Sequence, residues 1–247
     1  MKLKLIACEV FFREVCHFAA RSNNILDITF IPFGLHDTPE KLRERLQQEI
    51  DAEPPGAYEY IALAYGLCSG GTANLVSRDT PIVLPRAHDC ITLFLGSRSR
   101  YDARFADHPG TYYYTPGWIE RKDGEVDQGS VVELKARDRE RRFQEYKEKY
   151  GEDNAAFLIE QESQWLANYD RAAFINTGVG NVEQYREFTC GVAESHGWLQ
   201  EEIAGDLSLL SKLVEGPWDP EDFLLVPAGQ SIAQSFDDSV VRIRDLS

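Results

Sequence analysis

The chain has 247 residues, 43% of them hydrophobic, enough for one large core or two small lobes. Aromatic residues make up 11%, which separates it from disordered chains, and no run approaches the ~20 apolar residues that span a bilayer. The 41 acidic residues against 26 basic ones give a net charge of −15, which disfavours nucleic acid and membrane surfaces as partners and leaves a small-molecule substrate as the expectation.

The N-terminus carries two lysines and a short apolar run. Glu9, Arg13 and Glu14 interrupt that run and no small-residue cleavage site follows, so it reads as a strand, and the protein is expected in the cytoplasm. Residues 2–7 are the first strand, 11–22 a helix and 26–32 the second strand, closed by Gly34 and Pro39. Residues 38–53 give an amphipathic helix, with Thr38 as N-cap, Pro39 at the first helical position and Leu42, Leu46 and Ile50 along one face. Strands follow at 58–65 and 81–85, with a helix expected to start near 69–74 between them.

The centre differs. Residues 107–129 open on a stretch rich in Gly, Tyr and Pro and read as a structured excursion. Residues 134–150 form a charged helix with Phe143 and Tyr146 on one side, and 154–169 another helix; mixed charge of this kind marks solvated faces. Alternation then returns: strand 172–176, helix 182–194, strand 196–203, short helix 207–213 with Asp206 as N-cap, and a last strand at 223–227 before a polar tail. The pattern predicts an α/β fold with a mainly parallel sheet flanked by helices. The sheet is either continuous or split into two α/β lobes around a cleft, with a helical and irregular central insertion. The corresponding divisions are 1–106, 107–170 and 171–247.

Three strand ends carry chemistry. The first ends at Cys8-Glu9, the third runs into Gly66-Leu67-Cys68-Ser69-Gly70-Gly71, and the fourth runs into Arg86-Ala87-His88-Asp89-Cys90. Ligands of open parallel sheets bind beyond the carboxyl ends of the strands, so these tips are expected to converge. Thiolate and imidazole suit zinc or another transition metal, and Cys68, His88 and Cys90 supply a Cys₂His set, with Cys8, Glu9 or a substrate in the fourth position. Asp89 and Arg86 would orient the ligands.

The same residues support a metal-free alternative, in which Cys68 at a helix N-terminus is a nucleophile and His88 its base. Gly70 and Gly71 would cradle an anion through their amides, or form only a tight turn. Arg98 and Arg100 would clamp a carboxylate or phosphate, or lie in an exposed turn. Trp118 walls a pocket or, the favoured reading, anchors the excursion to the core. The loops at 176–178 and 227–230 would face the metal across the cleft. Cys16-His17 lies on the first helix and reads as structural, while Cys190, His36 and His108 have no evident partner in the sequence. Five cysteines without a framework spacing point away from disulfides.

Several stretches, Tyr65-Gly66-Leu67-Cys68-Ser69, Pro85 through Ser97, Tyr113 through Trp118, and Gly205 through Trp218 to Phe223, resemble the prokaryotic family catalogued as domain of unknown function 1638. The resemblance implies little about activity beyond an association with corrinoids, a corrinoid protein as partner, and methyl transfer. A second, local similarity is to zinc-dependent methyltransferases that alkylate a thiol through a His-x-Cys pair and a distant Cys. Here Cys68 precedes the pair, whereas in those barrel enzymes the lone Cys follows it, and eight β/α units are not seen. The leading expectation is therefore a zinc-dependent enzyme acting on a small molecule, with methyl transfer to or from a thiol or corrinoid as its sharpest form. In it Glu9 or Asp89 handles protons, and Arg86 and Arg98 hold an acidic group. The alternatives are a non-enzymatic metal- or corrinoid-binding accessory protein and a metal-free cysteine enzyme.

Overall fold

The structure is a computed structural model that describes residues 1–121, 131–164 and 168–245. The expectations over 122–129 and 165–167 lie outside the described residues, as do most side chains over 131–141 and 161–164.

The N-terminal part alternates as its periodicity predicts: β1 (Lys2–Cys8), α1 (Phe12–Ala19), β2 (Ile25–Ile31), α2 (Pro39–Asp51), β3 (Tyr60–Ala64) and β4 (Ile82–Pro85). Two short helices follow, α3 (Cys90–Leu95) and α4 (Arg98–Asp107), then β5 (Thr111–Tyr114), α5 (Pro116–Glu120), α6 (Val131–Tyr150) and α7 (Glu152–Gln164). The chain continues through β6 (Arg171–Asn176), α8 (Val182–His196), β7 (Leu199–Ala204), α9 (Ser208–Glu215) and β8 (Phe223–Val226). It closes with the hairpin β9 (Gln230–Gln234) and β10 (Val241–Asp245).

The fold is α/β. A five-stranded sheet has the order β2-β1-β3-β4-β8, all parallel except β8, and a three-stranded parallel sheet has the order β5-β6-β7. Strands buried on both faces read as continuous apolar runs, as β1 and β3 do. One face of the large sheet (Leu5, Ala62, Val83) shares a core with Ala173 and Ile175 of β6 and with α9. The other face (Ile6, Ile61, Leu63) is covered by Leu42, Leu46 and Ile50 of α2 and by the hairpin residues Ile232 and Val241. The far face of the small sheet packs Tyr114 and Ala172 against Val192 and Ala193 of α8. Sheet membership crosses the sequence divisions at 106 and 170, since β5 pairs with β6, while α9 and β8 return to the large sheet.

Several local expectations need correction. No helix forms over 69–74: a single 3-10 turn spans Cys68–Gly70, because Cys68, Ser69 and Gly70 all take positive φ. Arg98 and Arg100 lie in helix α4 and not in an exposed turn, and the helix is capped by the Ser97 hydroxyl, which accepts from the Arg100 amide. The expected strand at 196–203 starts later, because α8 runs to His196 and Gly197 ends it in the left-handed conformation. Thr38 precedes α2 without a side-chain cap, and Asp206 bonds the Ser208 amide from one position before the α9 cap. The polar tail is an ordered hairpin. Among the described residues no helix is long and apolar enough to cross a membrane.

Candidate functional site

The order β1-β3-β4 makes the three chemistry-bearing strands immediate neighbours, and all three point the same way. Pairing continues past the ends of β3 and β4. The Leu67 amide donates to the Ala87 carbonyl at 2.8 Å and the Cys68 amide to the His88 carbonyl at 2.9 Å. Gly66 permits this approach: a Cβ there would lie 2.7 Å from the Asp89 nitrogen and 2.9 Å from the Ala87 oxygen. Cys68 (φ 47°) and Ser69 (φ 55°) then turn the chain through the left-handed region, which costs a non-glycine residue about 1–2 kcal/mol. Strain of this kind, held by the surrounding hydrogen bonds, clusters at functional sites.

These loops open on a cavity of about 590 Å³. Cys8, Cys68, His88, Asp89 and Cys90 all line it. Its walls are aromatic. On one side Phe33 meets Trp118 edge-on at 6.0 Å and Tyr112 meets Trp118 at 5.5 Å. On the other, Tyr101 and Phe105 of α4 lie parallel at 6.4 Å, beside His88. The cavity sits between the carboxyl ends of the large sheet and β5, the edge strand of the small one. Gly117 allows α5 to close it: a Cβ there would lie 1.8 Å from the Val10 oxygen.

The thiols are half-buried because the cavity reaches them, while packed protein keeps bulk water away. Burial pushes Cys8 up to about 11 and Cys68 up to about 12, with the neighbouring Cys8 and the Asp89 carboxylate adding to the rise at Cys68. Cys90 is pushed well above its ordinary value by burial first, then by Asp89, Cys68 and Cys8. Without a metal the cluster is therefore three neutral thiols at pH 7. The Tyr65 hydroxyl is buried against the Cys8 thiol, with which it interacts directly, and the Cys68 thiol.

The other sequence candidates have different positions. Asp89 caps α3: one carboxylate oxygen accepts from the Ile91 and Thr92 amides and the other from the Tyr101 hydroxyl at 3.1 Å. Glu9 stands outside the cavity lining, where it accepts from the Phe33 amide and lies 3.9 Å from Arg121. Gly70 and Gly71 are also outside it, and their amides are committed to the Leu67 and Cys68 carbonyls. Arg86 donates to the carbonyls of Pro220, Ser239 and Val241 and so ties the hairpin to β4. Arg98 donates to the Glu221 carbonyl. Neither arginine reaches the cavity. The loops at 176–178 and 227–230 do not line it either. The first packs against α1 through the Thr177–Glu14 hydrogen bond, and the second follows β8, whose antiparallel direction carries its end to the opposite edge of the sheet.

The aromatic residues, Tyr65 and His36 are the site residues that sequence reasoning did not assemble. One signal was available: the loop after β2, carrying Phe33 and His36, leaves the same sheet edge as the three cysteine-bearing tips. Trp118 both packs into the core and lines the cavity.

An α/β scaffold with a thiol cluster at adjacent parallel strand tips is the class of protein that this geometry defines. The chain belongs to the family described as protein of unknown function (DUF1638), whose model matches residues 30–214. The matched segment includes Cys68, His88 and Cys90 and leaves out Cys8. No curated protein and no solved structure matches the chain.

Proposed function

We propose that the cavity is the active site of a metal-dependent enzyme acting on a small molecule, with Cys68, His88 and Cys90 as the donors for a soft metal ion, zinc in the first instance, and the fourth position open to substrate, with Cys8 lining the same cavity. The observation that carries this reading is the arrival of four soft or borderline donors, from three neighbouring strand ends, at one aromatic-walled cavity. The buried Tyr65 hydroxyl fits it, because a thiolate at Cys8 or Cys68 would accept a stronger, charge-assisted hydrogen bond from it than a neutral thiol does. Among the described residues no group of three His, Cys, Asp or Glu side chains stands ready to hold a metal, so uptake requires the thiols to rotate and lose their protons. Bound zinc supplies the charge that deprotonates its thiol ligands and activates a further thiol or water.

This chain's residues do the rest. Asp89 fixes the start of α3 and orients Tyr101, the aromatic walls exclude water, and Tyr65 steadies a thiolate. Methyl transfer involving a thiol or a corrinoid is the reaction class that the local resemblance to thiol-alkylating zinc enzymes suggests, with a corrinoid protein as partner. An open cavity beside the cluster favours this over an accessory protein with a closed four-ligand site. The metal-free nucleophile loses support, since only a 3-10 turn and no α-helix begins at Cys68, and burial raises its thiol above the ordinary value.

The test is metal content by mass spectrometry on protein prepared without a metal-affinity tag, for wild type and for Cys68→Ser, Cys90→Ser and His88→Ala. The expected result is about one zinc per chain, lost or strongly reduced in each variant, together with joint protection of the thiols from alkylation. Wild-type protein that is metal-free and takes up no zinc under reducing conditions would overturn the proposal.

A further inference from the structure

The walls of the cavity also select the charge of what enters it. Among the described residues that line it there is no lysine or arginine, and Asp89 is the one carboxylate. The nearby arginines are committed elsewhere: Arg86 and Arg98 to backbone carbonyls, Arg100 to the Leu95 and Ala204 carbonyls, and Arg121 to the Phe12 ring and Glu9. An anion entering the cavity would lose its water without meeting a lysine or arginine, and the charge of the proposed metal would be offset by its own thiolate ligands. A compact ammonium group would give up strong hydration.

A cation whose charge is spread over alkyl groups is weakly hydrated and is attracted to ring faces. The cavity offers Phe33, Tyr112 and Trp118 on one side and Tyr101 and Phe105 on the other, with the hydrogen-bonded Asp89 carboxylate as its one acidic side chain. The net charge of −15 adds a long-range field of the same sign. Resting on the reading of this cavity as a small-molecule site, we infer that its ligand is a small organic cation of the quaternary ammonium or sulfonium class.

The experiment compares three probes of similar size by titration calorimetry on the full chain: choline, its uncharged carbon isostere 3,3-dimethylbutan-1-ol, and the anion 3,3-dimethylbutanoate. Choline is expected to bind about tenfold tighter than the isostere, with no binding of the anion. Phe105 is 57% exposed, so Phe105→Leu leaves the fold intact while removing one ring face. That variant is expected to weaken choline about threefold and leave the isostere unchanged. Equal or tighter binding of the isostere or the anion would overturn the cation assignment while leaving the cavity as a small-molecule site. Binding of none of the three would overturn both.

Discussion

At the scale of single residues, the site is held by backbone conformation as much as by side-chain chemistry. Cys68 and Ser69 occupy the left-handed region in succession, a conformation that glycine adopts without strain. Ser69→Gly is therefore expected to stabilise the fold by roughly 1 kcal/mol, less any gain in unfolded-state entropy, as a rise in the urea midpoint. An unchanged or lowered midpoint would show that the serine hydroxyl contributes what the backbone loses. The thiols and His88 are legible in the sequence because Cys and His at strand ends are uncommon enough to be noticed. Tyr65 is not, because a tyrosine closing an apolar strand looks like core until its hydroxyl is found buried against the thiols of Cys8 and Cys68.

At the scale of elements, the site depends on how closely two strand tips approach. The hydrogen bonds from Leu67 and Cys68 to Ala87 and His88 require Gly66, whose missing side chain leaves room for the backbone of Asp89. Gly66→Ala must push these loops apart, and because the obstacle is backbone the cost is on the order of 3 kcal/mol or more. Urea unfolding measures that cost, and metal or probe binding should weaken in parallel. A variant of wild-type stability would show that the approach is dispensable. The glycine-rich loop was visible as a motif, but its purpose was not. Read alone, its glycines suggest an anion cradle, whereas here Gly66 serves a close contact and the Gly70 and Gly71 amides bond the loop to itself.

At the scale of the whole molecule, the two sheets share one core and meet at a buried acid. Glu14 of α1 is fully buried, and one of its oxygens accepts from Thr177 in the loop after β6 while the other has no partner. Burial, with some help from the Glu120 carboxylate, raises it from its ordinary 4.5 to about 7. Beside it Arg13 pairs with Glu120, which also accepts from Tyr185 of α8. A carboxyl that holds its proton more tightly when folded contributes stability that is complete below about pH 4.5 and lost as the pH rises through 7. Wild type should lose about 3 kcal/mol of stability from this group between pH 5 and 9, and Glu14→Gln should remove that part of the slope. Parallel pH profiles for the two proteins, from urea midpoints, would refute the assignment.

The sequence by itself determined the α/β class, the position of most elements and the three strand tips that carry Cys8, Cys68, His88 and Cys90. Those features are local: periodic apolar runs bury themselves in only a few ways, and parallel strands deliver their following loops to one edge. Tertiary structure alone decided the rest. It set β8 antiparallel at the edge, folded the tail back as a hairpin, and spent Arg86 and Arg98 on backbone carbonyls. It also brought Phe33, Tyr101 and Trp118, from three separate elements, around one cavity. These outcomes depend on which distant surfaces remain to be covered once the large sheet has formed, and no local pattern encodes that.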